Sequence, residues 1–203
     1  MSLRKRIHAV VLAKLAGRYE SAIAERKKAL FADLRGDILE IGPGTGPNLA
    51  HYPPGIRWTG LEPNPFMHSY LRESAHRAGV SVKIVEKVAE RLDFEDSSLD
   101  GVVSTLVLCS VTDPAAVIGE IRRVLKPGGR FAFIEHVAAS SGTRLRQIQR
   151  WIRPLWKVLG DGCHPDRETW TLIEQGGFTQ VRLEHFQMPL GPASPHIAGI
   201  AIK

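Results

Sequence analysis

Short apolar runs alternate with amphipathic stretches through most of the chain. Runs of roughly four to eight apolar residues bounded by Gly, Pro or polar residues predict buried strands. Five such runs lie at 37–41, 56–61, 82–85, 99–106 and 130–134. Helical apolar spacings separate them, at 65–78 and at 114–125, where a Lys-Pro-Gly-Gly stop signal follows at 126–129. Strands that alternate with helices predict a parallel sheet with helices on both faces.

The first 34 residues carry a helical pattern of their own. Apolar residues recur mostly every three or four positions among Lys and Arg, beginning with Leu3, Ile7, Val11 and Leu15. This pattern predicts one or two amphipathic helices. The most apolar run covers about seven residues at 7–13, whereas a membrane span needs roughly 20. We therefore expect no membrane-spanning segment.

Beyond the fifth strand the alternation ends. Two helical stretches at 143–159 and 166–175 precede apolar runs at 178–185 and 195–202. The two final runs, joined by a short Pro-rich link, predict a closing hairpin.

Length and composition bound the class of protein. A chain of 203 residues with 43% apolar content supports one substantial core, and no repeat or linker divides it. We expect a single domain over 1–203, with a helical cap at 1–34 and a catalytic core at 35–203. The net charge of +6 would suit an anionic partner, but mild basicity also occurs in proteins that bind none.

Cysteine usage indicates a reducing compartment. The two cysteines, Cys109 and Cys163, lie 54 positions apart and form no CxxC pair. The expected location is cytoplasmic, with a peripheral contact at a membrane surface left open.

A glycine-rich turn after the first predicted strand is the strongest local signal. Glu-Ile-Gly-Pro-Gly-Thr-Gly occupies 40–46, where a strand stops and a helix should start. Gly42, Gly44 and Gly46 would let the backbone turn sharply and a ligand approach it closely. An ordinary tight turn would explain a glycine cluster alone about as well. A dinucleotide fingerprint is disfavoured, because Pro47 stands where its third glycine should fall.

An acidic residue at the end of the second strand adds to this signal. Glu62 follows Gly46 by 16 positions, and a carboxylate there can accept hydrogen bonds from both hydroxyls of a ribose. The carboxyl ends of neighbouring parallel strands meet at one sheet edge, so the two features predict a nucleoside-binding crevice.

Five ordered motifs over 36–136 resemble those of class I S-adenosylmethionine (SAM)-dependent methyltransferases. Besides the glycine turn and Glu62, they are Val-Ala-Glu at 88–90, Ser-Thr-Leu at 104–106 and the turn at 126–129. The resemblance implies an α/β, Rossmann-like sheet of seven strands in the order 3-2-1-4-5-7-6, with strand seven antiparallel. It implies SAM as cofactor and S-adenosylhomocysteine as product. The residues implied to bind the cofactor are Glu40, Gly42, Gly44, Gly46, Glu62, Pro63, Asn64, Ala89, Glu90, Thr105 and Leu106.

A narrower resemblance leads to the methyltransferase-like subfamily that includes the mammalian alkyl thiol methyltransferases. The similar segments are 52–55, 62–65, 105–111, 135–138, 160–163, 167–170 and 195–197. Two features depart from that subfamily: Glu62 replaces its Asp at the ribose position, and its long apolar N-terminal segment has no counterpart here. The resemblance implies a small thiol as methyl acceptor.

Two residues are candidates for proton transfer, which a thiol acceptor needs because it is mostly protonated at neutral pH. His136 follows strand five at the same sheet edge as the glycine turn, although a structural strand-end histidine is equally plausible. Asp161 lies in a Gly-flanked loop that the resemblance places at the acceptor pocket, and turn chemistry explains it nearly as well. The predicted pocket residues are Cys109, Trp151, Trp156, Cys163 and His164.

The helix at 143–159 allows several interpretations. Its predicted core stripe is Leu145, Ile148, Ile152, Leu155 and Leu159. The rest of the helix is basic and carries two tryptophans, which suits a substrate lid, a membrane interface or a plain solvated surface.

No metal site is expected from the sequence. Cys163 and His164 are too few and too isolated for zinc, which needs three or four N or S ligands. Cys109 follows an apolar run and is expected to be an inert buried thiol beneath SAM.

Three functions remain open at this point. The first is a small-molecule methyltransferase that acts on a thiol. The second is a methyltransferase for a phospholipid or a quinone precursor, which the basic Trp-bearing helix would serve. The third is a non-catalytic SAM- or nucleic-acid-binding module, but no base-binding insert is recognised and no nucleic acid is expected. No obligate protein partner is predicted.

Overall fold

A computed structural model describes residues 3, 5–7, 9–10 and 17–203, so the predicted apolar positions Val11 and Leu15 lie outside the described residues. The elements in chain order are α1 Gly17–Phe31, β1 Asp37–Ile41, β2 Arg57–Leu61, α2 His68–Ala78, β3 Val82–Val85, β4 Leu99–Thr105, α3 Pro114–Val124, β5 Leu125–His136, α4 Arg144–Leu159, α5 Thr169–Glu174, β6 Gln180–Gln187 and β7 Pro195–Ile202. Short 3-10 helices lie at Pro47–His51, Pro65–Met67 and Gly191–Ala193.

The strands form one sheet in the order β3-β2-β1-β4-β5-β7-β6. β1 pairs in parallel with β2 and β4, and β7 is antiparallel to both β5 and β6. Helical crossovers keep the first five strands parallel, whereas a short link between β6 and β7 makes a hairpin. The predicted fold class and strand order are confirmed, and the carboxyl ends of β1, β2, β4 and β5 share one edge.

Helices cover both faces of this sheet, as predicted. On one face Phe31 and Leu71, from α1 and α2, pack in a cluster with Val103 of β4. On the other, Ile121 and Ile173 come from α3 and α5. Burial of each such side chain contributes about 1.5–3 kcal/mol, so both layers fix the sheet edge in place.

Some element boundaries differ from the predicted ones. β5 begins at Leu125, not at 130, because Leu125 pairs with Leu99 across an irregularity in the ladder. The Lys-Pro-Gly-Gly residues at 126–129 therefore lie within β5. β6 lies two residues later than predicted because its register is set by β7, where Gln187 is opposite Pro195. α5 is shorter than the predicted helix at 166–175.

The orientation of α4 differs from the predicted one. Ile148, Leu155 and Leu159 of the predicted core stripe are 48%, 64% and 73% exposed. Gln149 is fully buried instead: it accepts a hydrogen bond from the Ala139 amide at 2.7 Å and donates to the Pro192 carbonyl at 2.8 Å. Gln149 thus pairs buried backbone groups of two loops. Because Gln149 must face inward to do so, several apolar side chains of α4 face outward.

The described residues before α1 are helical, and their apolar side chains are partly buried in the protein and partly exposed to solvent. Ala9 is buried, whereas Leu3 and Ile7 are exposed. Within the described ranges, no helix combines the length and the apolar character needed to cross a membrane.

Candidate cofactor and acceptor site

The glycine turn opens into a crevice at the carboxyl edge of the sheet. Gly42, Gly44 and Gly46 have φ angles of 59°, 57° and 81°, in the left-handed region that favours glycine. A Cβ at Gly42 would lie 2.6 Å from Val107 Cγ2, inside the protein, but a Cβ at Gly44 would meet no atom within 4 Å. The backbone of Gly44 is therefore open to a ligand.

Glu62 is buried beside this turn, at the end of β2. Its carboxylate accepts hydrogen bonds from the amides of Gly44 at 2.9 Å and Asn64 at 2.8 Å. Burial raises the pKa of Glu62, and the charge of Asp161 raises it further, against these two hydrogen bonds. A carboxylate offers about four acceptor positions, so both oxygens keep room for a ribose hydroxyl.

Lys5, one of the described N-terminal residues, contacts the same end of the crevice. The Asn64 side chain donates to the carbonyl of Lys5 at 3.1 Å, and Lys5 Nζ lies 3.5 Å from the Pro63 carbonyl. Pro63 and Asn64 therefore join the ribose end of the crevice to the predicted cap.

Glu40 holds the turn from behind. Its buried carboxylate accepts hydrogen bonds from Asn48 at 2.8 Å, Tyr52 at 2.8 Å and Trp58 at 3.1 Å. Burial raises the pKa of this carboxyl group against those three hydrogen bonds. Glu40 thus positions the 3-10 helix against β2 through protein donors, and its contact with the cofactor stays a prediction.

Asn48 joins the ends of β1 and β4. Its amide nitrogen also donates to Thr105 Oγ1 at 3.0 Å, while its buried Oδ1 has no partner among the described residues. Leu106 follows with φ of 58°, an unfavourable conformation for a branched residue that is often found at functional sites. An unpaired buried acceptor here suits the ammonium group of SAM.

The segment predicted to contact adenine lies next to the end of β2. Ala89 is buried in the same cluster as Leu61 and Leu108. Glu90 accepts a hydrogen bond from the Thr112 amide at 3.0 Å, so its carboxylate fixes the loop after β4. With the open Gly44 and the unpaired Asn48, this edge fits the predicted cofactor.

Three distant residues meet on the acceptor side of the edge. Cys109, His136 and Cys163 are only 2%, 4% and 8% exposed, and their ligand atoms all lie within 4.8 Å of one another. Cys163 Sγ is 3.6 Å from His136 Nδ1 and 3.9 Å from Nε2. The sequence argument that Cys163 was too isolated for a metal site is therefore wrong, because adjacent strand ends bring Cys109 and His136 to it.

Hydrogen bonds within this Cys109–His136–Cys163 cluster shift the pKa values of all three groups. Burial acts to lower the pKa of His136, but the hydrogen bond and charge of Cys109 outweigh it and raise the pKa overall. The hydrogen bond with Cys109 lowers the pKa of Cys163 despite burial. The same hydrogen bond and burial raise the pKa of Cys109.

Unpaired buried polar atoms lie around the cluster. Glu135 accepts hydrogen bonds on Oε1 from Ser104 Oγ at 2.6 Å and the Val107 amide at 3.1 Å. Its Oε2, the Tyr19 hydroxyl and His196 Nε2 are buried without a partner in the described part of the chain. An unpaired buried polar atom costs free energy, so these atoms make this end of β5 a candidate acceptor site.

Aromatic contacts join these groups. The His196 ring lies 5.7 Å from that of Tyr19 and 6.1 Å from that of His136. Burial lowers the pKa of His196 to about 4, so this imidazole is neutral near pH 7. Sequence reasoning missed Glu135, Tyr19 and His196 as site residues. Glu135 and His196 lie in segments that carry the narrower resemblance, whereas no local signal singles out Tyr19.

The predicted pocket residues have different outcomes. Trp151 is 89% exposed and does not line the pocket, because Gln149 sets the rotation of α4. Trp156 is half-buried and forms a hydrogen bond that lowers the pKa of Cys163. The amide of His164 donates to the Cys109 carbonyl at 2.8 Å, which joins the two loops.

Asp161 is placed toward the cofactor side. It adopts a left-handed conformation, with φ of 48°, and its charge acts on Glu62. This position distinguishes it from His136, which belongs to the cysteine cluster.

Comparisons with known proteins agree with this geometry. A family described as a methyltransferase domain matches residues 39–133. The chain is 41% identical over 206 residues to thiol S-methyltransferase TMT1B of Rattus norvegicus, covering 95% of this chain and 84% of the relative. It is 39% identical over 198 residues to thiol S-methyltransferase TMT1A of Homo sapiens, covering 91% and 81%.

More distant relatives are named for other activities. A phosphatidylethanolamine N-methyltransferase of Cereibacter sphaeroides is 32% identical over 138 residues, covering 66% of this chain and 68% of the relative. A SAM-dependent methyltransferase structure from Aquifex aeolicus aligns with a TM-score of 0.61 at 14% identity, covering 97% of both chains. At such identity the structural likeness supports the fold alone.

Proposed function

We propose that this chain, which belongs to the family of SAM-dependent methyltransferases, transfers the methyl group to the sulfur of a small alkyl thiol. The observation that carries the acceptor class is the buried, unpaired Oε2 of Glu135, near the end of β5 and at the same sheet edge as the glycine turn. The two mammalian relatives named thiol S-methyltransferases support the same acceptor.

Glu135 is the proposed proton acceptor. Burial raises the pKa of this carboxyl group above its ordinary value, against hydrogen bonds from Ser104 and backbone amides. The carboxylate is therefore a stronger base than an exposed one. It can take the proton of a thiol, whose pKa is about 8.5, but not that of an aliphatic alcohol, which is much less acidic. His136 is engaged with two sulfurs and His196 is a weak base, so Glu135 replaces His136 as first candidate.

The remaining residues bind and align the reactants. SAM, when bound, supplies an electrophilic methyl group on a sulfonium. Glu62 would accept hydrogen bonds from its ribose, and the unpaired Oδ1 of Asn48 would accept one from its ammonium group. Glu135 and the neighbouring His136 are buried, and exclusion of water there favours a transfer in which charge disperses.

Competition between matched acceptors tests this proposal. Alkyl thiols, alcohols and amines with the same carbon skeleton are offered together with SAM, and methylated products are identified by mass spectrometry. We expect the thioether to dominate. Methylation of the alcohol or the amine in preference to the thiol would refute the acceptor class.

A glutamine substitution tests the base. Glu135→Gln should lower kcat by about 10²–10⁴-fold near neutral pH, with partial recovery as the pH approaches the pKa of the thiol. The affinity for SAM should stay the same. The control is Glu174→Gln, an exposed position on α5. An unchanged kcat in Glu135→Gln would remove the assignment.

We also propose that the outer face of α4 contacts an anionic membrane surface. This face consists of Ile148, Trp151, Leu155, Val158 and Leu159, which are all exposed. Exposed Arg144 and Arg150 lie on the same helix, and Trp with basic residues is typical of interfacial helices. The phosphatidylethanolamine N-methyltransferase relative gives this surface a second candidate function, methylation of a lipid headgroup.

Vesicle flotation tests the surface. Wild-type protein should float with phosphatidylserine vesicles and much less with phosphatidylcholine vesicles. Trp151→Gln with Leu155→Gln should abolish flotation, whereas the control Leu190→Gln should not. Equal flotation of all variants would exclude α4 as the contact. In a separate assay with SAM, an alkyl thiol and phosphatidylethanolamine vesicles, methylated phosphatidylethanolamine in place of thioether would favour the second function.

A further inference from the structure

We propose that Cys109, His136 and Cys163 bind a thiophilic divalent cation, for which zinc fits best, and that a fourth coordination position receives the substrate thiol. This inference rests on the proposed thiol acceptor. Catalytic zinc sites characteristically combine three protein ligands with one open position, and two cysteines with one histidine are among the sets that occur.

The distances suit such an ion. Tetrahedral zinc, with bonds of about 2.3 Å to sulfur and about 2.0–2.1 Å to nitrogen, separates neighbouring ligand atoms by about 3.5–3.8 Å. Cys163 Sγ lies 3.6 Å from His136 Nδ1, and all three ligand atoms lie within 4.8 Å of one another. Small side-chain rotations would complete the coordination.

The environment of His136 is an independent observation. A buried imidazole normally bonds to an oxygen of the backbone or a carboxylate. In the part of the chain that the structure describes, the groups that bond to this ring are the sulfurs of Cys109 and Cys163. A soft metal ion between the three side chains would satisfy the ring nitrogen and stabilise both thiolates.

The surrounding loops hold the cysteines in place. The His164 amide donates to the Cys109 carbonyl, and the Gly162 amide donates to the Lys157 carbonyl at 2.9 Å. Arg167 donates to the Leu108 carbonyl at 2.5 Å and to the Val111 carbonyl at 2.9 Å, which holds the segment that carries Cys109. Supporting contacts of this kind orient metal ligands.

The reaction then balances without any redox step. The thiol R–SH binds through sulfur and gives its proton to Glu135 Oε2. A sulfur electron pair forms the new S–CH₃ bond while the sulfonium C–S bond breaks, and that bonding pair stays on the sulfur of S-adenosylhomocysteine. The metal remains divalent and stabilises the thiolate. The neutral thioether is a weaker ligand and leaves.

Metal content is the first test. The full chain is purified under reducing conditions without chelator, supplied with Zn²⁺ and analysed by plasma mass spectrometry. We expect about one zinc per chain. Cys109→Ser, Cys163→Ser and His136→Gln should lose it, while His76→Gln, an exposed histidine on α2, should keep it. Calorimetric SAM binding shows that each variant is folded.

Cobalt substitution gives a readout independent of turnover. Co²⁺ should produce thiolate-to-metal charge-transfer absorption and the intense visible bands of a tetrahedral site, and a small alkyl thiol should change both. The proposal would be overturned if the reduced protein bound no ion, or if the cluster variants bound it as well as the wild type. It would also be overturned if Cys109 and Cys163 formed a disulfide and the thiols obtained by its reduction did not bind zinc.

Removal of the metal separates this inference from the proposed function. Chelation should lower kcat for the thiol by more than about tenfold, with recovery on zinc addition and unchanged SAM affinity. Full thiol turnover by the metal-free protein would overturn the metal site and leave the thiol function intact. If the zinc-loaded protein methylated no thiol, the proposed function would be refuted. The role of the fourth coordination position in binding the substrate thiol would be refuted with it, even if zinc were bound by the three protein ligands.

Discussion

An added methyl group at Gly44 should block SAM binding more than it destabilises the fold. Gly44 and Gly55 both have positive φ angles, 57° and 84°, and a Cβ at either residue would meet no protein atom within 4 Å. Gly55 precedes β2 and lies outside the candidate site. The Gly44→Ala and Gly55→Ala variants therefore share the backbone strain and differ in their distance from the crevice.

The magnitude follows from these two contributions. The left-handed conformation costs an alanine about 1–2 kcal/mol, so both variants should lose about this much free energy of unfolding. If SAM lies against the Gly44 backbone, the methyl group overpacks that contact by about 1–3 kcal/mol, which weakens binding by about 5- to 150-fold.

Two assays on each variant measure the effect. Urea unfolding gives the loss of stability, and calorimetric titration gives the Kd for SAM. We expect a similar loss of stability in both variants and a raised Kd in Gly44→Ala alone. Equal SAM affinity in the two variants would refute the placement of the cofactor over the turn.

Three further predictions concern buried polar groups. Glu62→Gln should raise the Kd for SAM about tenfold or more, because a charged acceptor is lost, and calorimetry with unchanged affinity would contradict the ribose assignment. His196 has a folded pKa of about 4 against 6.5 for the free residue, so its contribution to stability is present above 6.5 and is lost as the pH falls toward 4. Between pH 7 and pH 5 the loss should be about 2 kcal/mol in urea unfolding, and His196→Phe should lack this contribution. Gln149→Leu would leave backbone groups such as the Ala139 amide unpaired and should cost about 1–3 kcal/mol. Exposed Gln147→Leu should change stability by less than about 0.5 kcal/mol, and equal effects would exclude the buried hydrogen bonds as the cause.

Strands bounded by local turn signals were predictable from the sequence. The bounds of β1, β3 and β7 agree with the apolar runs at 37–41, 82–85 and 195–202. The start of β5 was missed because it depends on pairing between Leu125 and Leu99, which no local pattern shows. The rotation of α4 was missed because one polar residue, Gln149, decides it through distant backbone partners.

The two halves of the candidate site differ in the same way. The candidate cofactor half consists mainly of short motifs at strand ends, which could be recognised once the strands were. Asn48 was missed because it lies in the following 3-10 helix and its importance depends on contacts with Glu40 and Thr105. The acceptor half depends on three-dimensional contacts: Cys109 and His136 meet because β4 and β5 are neighbours, and Cys163 reaches them through the loop after α4. Periodicity and spacing carry no information about such a meeting.

Single-turnover transfer followed by NMR tests the central claim most directly. Protein is mixed with an equimolar amount of SAM carrying a ¹³C-labelled methyl group and an excess of a small alkyl thiol. The account predicts that the methyl resonance moves from the sulfonium position to the thioether position much faster than without protein, and more slowly with Gly44→Ala. A sulfonium resonance that decays no faster than in the protein-free control would contradict it.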